Sequence, residues 1–501
     1  MKADALCLSA IILFGAFAPT HTLAQSQNSN EDIRELRKLV EGMRAQMSRM
    51  QAEIDQLKGE KLEASQPVAA GPLFSTPPAR ATEAAQPPLE KPTSSQAAES
   101  IAEHQVGKAT AEHQEFDEDS VATARFDNVP LDPKYEGYFR LPGTQTILKI
   151  GGFFKTDFIY DLKPAGNTYL FIPSSFPVPQ VSGVYNANVS IRPTRLSLDF
   201  RIPSGTHGDS RLYLEGDMFG TNATTPRLRH AYAQASNILA GQTWTNFMDP
   251  DAIADSLDFR GPNGMVLLLN PQFRYGFALG SSTTVSVSVE RPSSDVFYQT
   301  PQFVAQPHSP SPDGTIRLRR EFERGHFQVA GLFRSIAAYL PDGRTGSVFG
   351  WGVNTSLGVN TIGRDNLIFA VAAGHGISRY IQDTSGLGID AEPTSMASPH
   401  LEATPAVGTY ADYQHYWLRA LRSNAIYSYA DVNNTDLAPP KTYNHATYTS
   451  ANLIWNPYGS FNVGAEFLYG WTMLQDGQKA NAPRIQFSAK YSFVKVKPNP
   501  K

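Results

Sequence analysis

The chain has 501 residues, of which 41% are hydrophobic and 18% charged, with a formal net charge of −4 at pH 7 and one cysteine. A balance this close to neutral gives no bulk attraction to nucleic acid, and no apolar run reaches the roughly 18 residues that a membrane-spanning helix needs. Aromatic residues are plentiful (11%) although the mean hydropathy is negative, which suits a barrel with a wet interior better than a helical membrane protein.

The first element is a short apolar run, residues 6–18, which follows Lys2 and ends before Thr22, Leu23 and Ala24. A positive start, a short apolar middle and small residues at the end predict a secretory signal peptide over 1–24. Cys7 lies inside it, so the mature chain is expected to carry no thiol, disulfide or thiolate metal site. Export without cysteines fits a bacterial envelope protein.

A heptad segment follows. Ile33, Leu36, Val40, Met43, Met47, Met50, Ile54 and Leu57 recur at alternating spacings of three and four. That pattern predicts an oligomerising periplasmic coiled coil over 31–64, ~45 Å long at 1.5 Å per residue. Residues 65–125 are rich in Pro, Ala, Ser, Gln and Glu and poor in large apolar side chains, which predicts an unstructured linker.

The remainder, 126–493, alternates apolar and polar residues in segments of roughly ten, as transmembrane strands do. The last segment, RIQFSAKYSF over 484–493, places Ile485, Phe487, Ala489, Tyr491 and Phe493 on one face. Strands of this kind survive in a bilayer only when every edge is paired. The expected fold is therefore all-β, a sixteen-stranded antiparallel transmembrane barrel beginning near Ile147. Seven short turns, near Gly205, Asn237, Gly280, Gly325, Ile362, Arg422 and Tyr458, alternate with eight longer loops. An even strand count puts both barrel ends on the turn side, expected to face the periplasm. Sixteen strands leave an aqueous interior. Phe154, Phe158 and Tyr160 early in the barrel, and Phe461, Phe467, Tyr469 and Trp471 near its end, read as aromatic girdles.

Alternation also sorts the charges. If Leu148, Ile150, Phe154 and Phe158 face lipid, then Lys149, Lys155 and Asp157 face the lumen. The same logic turns Arg195, Asp199 and Arg201 inward, then Arg211, Glu215 and Asp217. Strand RLRHAYAQ (227–234) is polar on both faces. Leu228 and Tyr232 outward would place Arg227 and Arg229 inside and His230 toward an interface. Arg274, Arg317, Arg319 and Glu321 also read as inward. The third long loop, 245–270, carries Asp249, Asp251, Asp255 and Asp258 beside Phe247 and Met248. Folded inward, it would set an acidic edge against a basic wall. Such charge rings give pores their selectivity, and guanidinium forks match carboxylates in a bidentate way. The same charges could equally pair with one another and only stiffen the barrel.

Enzyme signals are thin. The histidines are scattered singly, with no H-E-x-x-H, G-x-S-x-G or phosphate-loop motif. No cofactor, metal or catalytic residue is expected. The expected partners are outer-membrane lipid, small anionic solutes and further copies of the chain. The cell wall could be a partner through the coiled coil, in which case the barrel would be an envelope tether with incidental conductance.

Residues 131–138 (LDPKYEGY), 141–161 (LPGTQTILKIGGFFKTDFIYD), 211–220 (RLYLEGDMFG) and 227–264 resemble the DcaP-like outer-membrane channels. The resemblance covers nearly all of the mature chain. It implies a homotrimeric porin that takes up dicarboxylates and related aromatic acids, with Arg195, Arg211 and Arg229 in a basic pore lining and 245–258 as the constricting loop. One departure stands out. Residues 494–501 continue past Phe493, where such barrels commonly stop at the terminal aromatic that the assembly machinery reads.

Overall fold

The computed structural model describes residues 135–493 apart from 136, 204–208, 222–223, 297, 301–302, 341–343 and 396–399. The expected signal peptide, coiled coil, linker, turn near Gly205 and tail after Phe493 lie outside the described residues.

Sixteen strands form one closed antiparallel barrel. They are β1 (Ile147–Asp161), β2 (in two segments, Asn186–Ser190 and Arg195–Ile202), β3 (Ser210–Asp217), β4 (Arg227–Ala235), β5 (Ile238–Trp244), β6 (Leu269–Ala278), β7 (Thr283–Glu290) and β8 (Asp313–Phe322). The wall continues with β9 (Gly325–Tyr339), β10 (Thr345–Asn360), β11 (Asn366–His375), β12 (Pro405–Leu418), β13 (Leu421–Val432), β14 (Tyr443–Tyr458), β15 (Phe461–Leu474) and β16 (Lys479–Ser492). Closure runs from Phe153↔Ser492 to Asp161↔Arg484 between β1 and β16. Every backbone edge is thereby paired, which a bilayer requires.

The short connections lie at one end of the barrel and the long ones at the other. Ser236, at φ 50°, and Gly459, at φ 51°, sit in two-residue turns, the setting in which positive φ matches strand twist. The turn expected near Arg422 falls two to three residues earlier, at 419–420, and Arg422 itself is a buried strand residue. The wall is uneven in height. Strands β3, β4, β5 and β7 have seven to nine residues, whereas β9, β10 and β12 to β16 have 12 to 16.

Alternation sets the two faces. On β1, Ile150, Phe154 and Phe158 are exposed outward while Lys155, Asp157 and Asp161 are buried inward. On β16, Phe487 and Tyr491 face out while Arg484, Gln486 and Ser488 face in. Strand β4 departs from the expected register. Glu215 pairs with His230, but the next residue, Gly216, pairs with Leu228, so Arg229 is an extra residue in a bulge. A bulge lets consecutive side chains share a face. Leu228 remains outside, but Arg229, His230 and Tyr232 all point inward. His230 Nδ1 lies 3.0 Å from Thr243 Oγ1 and its ring packs on Trp244. Tyr232 packs on Tyr213. The expected outward placement of His230 and Tyr232 is thus corrected by one inserted residue.

Two long loops fold into the barrel rather than over it. Loop 245–268 and loop 376–404 are laced together by Leu267 N to Tyr380 O (3.1 Å), Gln382 N to Met265 O (2.9 Å) and Asp383 N to Asn263 O (3.0 Å). Phe247, Met248, Val266, Ile377, Tyr380 and Ile381 form a buried apolar cluster where the loops meet the wall. The barrel's core is therefore these loops, not the strands alone.

Candidate pore constriction

After Trp244 the chain leaves β5 and enters the lumen. Asn246 N donates to Glu290 Oε1 (2.8 Å) and Asn246 Nδ2 to Thr315 Oγ1 (2.9 Å). Asp249 then accepts from Arg319 Nη1 (3.0 Å), Ser356 Oγ (2.5 Å) and His326 Nε2 (2.8 Å). Burial alone would raise the Asp249 carboxyl, but His326 and Arg319 outweigh it and hold the group below the usual carboxylate range. Arg319 also pairs with Asp251 (2.7 Å) and Glu321 (2.7 Å).

The loop then crosses to the opposite wall. Asp255 accepts from Arg422 Nε (2.6 Å) and Gln414 Nε2 (2.9 Å). Ser256 Oγ donates to Glu466 Oε1 (2.9 Å) and Asp258 N to Glu466 Oε2 (2.9 Å). Leu257 O receives Lys155 Nζ (2.6 Å) and Gln486 Nε2 (2.8 Å). Further on, Gly264 N donates to Ser428 Oγ (2.8 Å). Loop 245–268 is thus fastened from β8 round through β10 and β12 to β16, and to β1. Asp258 turns its carboxylate to Phe171 N (3.2 Å) and Gly261 N (3.0 Å). Burial pushes that carboxyl up to about 6.

Between the loop and the wall is a cavity of about 420 Å³. Its lining holds seven cations, Lys155, Arg195, Arg227, Arg229, Arg260, Arg422 and Lys490, against two carboxylates, Asp255 and Asp258. Asp157, Glu215 and Asp217 stand behind them and pair with Lys155, Arg229 and Arg227. Counting those three brings the carboxylates to five and leaves two cations in excess. Arg195 makes no carboxylate pair among the described residues. Its guanidinium lies over Phe153 (5.3 Å) and Phe259 (5.5 Å), and its Nε is buried without a hydrogen-bond partner.

The sequence-derived residues divide accordingly. Lys155, Arg195, Arg227 and Arg229 line the cavity, as do Asp255 and Asp258. Lys149, Arg201, Arg211, Arg274, Arg317 and Arg319 do not. Arg201 and Arg211 both grip Asp199, which also accepts from Tyr138. Arg274 donates to Gln272 Oε1 and Trp244 O, and Arg317 to Ser286 Oγ. Lys149 stands near the Tyr138 ring. Phe247, Asp249 and Asp251 hold the loop in place away from the cavity. Three lining cations escaped the sequence reading of the site. Lys490 was visible as an inward residue of the last strand, Arg422 was taken for a turn, and Arg260 follows the acidic stretch without a periodic signal.

The family described as DcaP outer membrane protein matches residues 140–493. The chain belongs to the DcaP outer membrane protein family. The outer membrane channel DcaP of Acinetobacter baumannii has the same fold, with a TM-score of 0.63 at 23% identity over 71% of this chain and 99% of that one. An anion-selective porin from Comamonas acidovorans aligns at TM-score 0.45 and 10% identity, over 70% of this chain and 100% of that one. OmpF of Salmonella typhi in complex with daunomycin aligns at 0.45 and 11%, over 70% and 98%. Among curated proteins, nothing matches. As a DcaP family member with a closed sixteen-stranded barrel, the chain is a porin-type channel of the bacterial outer membrane.

Proposed function

We propose that this DcaP-type barrel passes small anionic organic acids by passive diffusion, drawing them through the cavity between loop 245–268 and the wall of β1, β2 and β4. The observation that carries the reading is the excess of cations around that cavity. A guanidinium or ammonium placed before a carboxylate forms a charge-assisted hydrogen bond. Binding there must stay weak enough for release, as conduction requires. Arg195, which has no carboxylate of its own, is the group best placed to meet the solute; Arg260 and Lys490 extend the track. The identity of the solute as a dicarboxylate or aromatic carboxylate rests on the family resemblance. Recording purified protein in a planar bilayer under a KCl gradient, with succinate or phthalate added, tests the reading. Anion preference with block by either acid supports it, and cation preference without block contradicts it.

The functional unit in this reading is a homotrimer. Strand β5 has seven residues, about 23 Å at 3.3 Å per residue. Tilted by roughly 45°, it rises about 16 Å, short of the apolar band of about 25 Å. A wall this low needs protein rather than lipid beside it. The face there carries a shallow hollow, with the small Ala233 and Ala240 beside Leu212 and Ile238, which suits close approach of another copy. The short connections would then face the periplasm, where the N-terminal segment belongs.

A further inference from the structure

Loop 245–268 meets the arginine wall with an aromatic ring instead of a carboxylate. Its acidic groups are all directed elsewhere. Asp249 and Asp251 go to Arg319, Asp255 goes to Arg422, and Asp258 turns back to backbone N–H groups. Among the described residues, the loop side chain that meets the arginines of this wall is Phe259. Its ring lies 5.5 Å from the Arg195 guanidinium and 5.4 Å from that of Arg229, and it packs at a tilt against Phe219 with centroids 4.3 Å apart. Arg229 is also faced by Trp244 at 5.3 Å, and Arg195 by Phe153. The rings and guanidinia thus alternate as Trp244, Arg229, Phe259, Arg195, Phe153.

An aromatic face attracts a cation through its quadrupole without cancelling its charge. A carboxylate at the same point would lie within ion-pair reach of Arg195 and cancel its charge, and would add a further negative charge beside Arg229, which Glu215 and Asp217 already pair. Resting on the anion-channel reading for the route of the solute, we propose that Phe259 is a selectivity-determining residue. It is a neutral spacer that packs against Arg229, which Glu215 and Asp217 already pair, and holds Arg195 in place while leaving the Arg195 charge open to the cavity. The sign of the constriction is set by what the loop omits at this point as much as by what the wall supplies.

Phe259→Glu and Phe259→Gln place the same shape at this point with and without a charge. Reversal potentials in a KCl gradient give the anion-to-cation permeability ratio for each, after heat-dependent gel migration has shown both barrels to be folded. The expected result is a ratio about tenfold lower for the Glu variant than for the Gln variant. The Gln variant should stay within about twofold of the natural channel. Equal ratios for Glu and Gln overturn the proposal, as does a Gln variant that falls as far as Glu. A natural channel without anion preference contradicts the proposed function instead, since the role of Phe259 is read from the Glu-to-Gln difference alone.

Discussion

Replacing Arg195 with alanine is the perturbation that separates a conducting basic wall from a merely ion-paired one. A guanidinium and a carboxylate about 4 Å apart attract by roughly 1 kcal/mol in bulk water and roughly 4 kcal/mol at an effective dielectric of 20. The cavity is open to water, so the lower half of that range applies, ~1–2 kcal/mol. At 1.4 kcal/mol per factor of ten, the concentration of succinate that half-blocks the current should rise about five- to thirty-fold. The loss should shrink as KCl is raised from about 0.1 to 1 M, because the screening length falls from about 10 to about 3 Å. Arg211→Ala is the matched control. Arg211 is held by Asp199 and does not line the cavity, so its removal should leave the block unchanged. The assay is single-channel recording with titrated succinate at both salt concentrations. Equal weakening by the two variants, or none from Arg195→Ala, refutes the reasoning.

Protonation should tune the same cavity. The Asp258 carboxyl is raised to about 6, so it is charged above that pH and neutral below it. Lowering the pH from 7 to 5 removes a negative charge from the lining. Anion preference should therefore rise, and Asp258→Asn should show the low-pH ratio throughout with a flat profile. Gly264→Ala should loosen the loop. A Cβ there would meet Tyr429 O at 2.3 Å and Thr409 N at 2.6 Å, both backbone atoms of the wall. The loop must lift, so conductance should increase while thermal stability drops by about 1–3 kcal/mol. Asp249→Ala removes the partner of His326 and Ser356 and one of the partners of Arg319. Denaturant unfolding in detergent should show a loss of about 3–5 kcal/mol, the usual cost of breaking a buried pair from one side.

Much of the wall can be read from alternation because lipid imposes it. A residue such as Phe154 or Phe487 must face out, and its neighbours Lys155 and Gln486 must then face in. The same rule gave the strand number and the division into turns and loops. It failed at 227–234, where both faces are polar and a single bulge residue moves His230 and Tyr232 inward. Alternation also cannot reveal partners. Arg195 and Arg211 look alike in sequence, and each lies against two aromatic rings, but only Arg211 is bound to a carboxylate, that of Asp199. The interior of the barrel was the least legible part. Loop 245–268 is positioned by contacts with strands up to about two hundred residues away, such as Asp258 with Glu466. Its pairing with loop 376–404 involves backbone groups that any sequence carries. Phe259 stands out only once the ring is seen between two guanidinia.

The reversal potential of the natural channel across a KCl gradient tests the central claim most directly. A constriction with more cations than carboxylates predicts a potential on the chloride side, moving further toward it as the pH falls through 6. A potential on the potassium side, unmoved by pH, would contradict it.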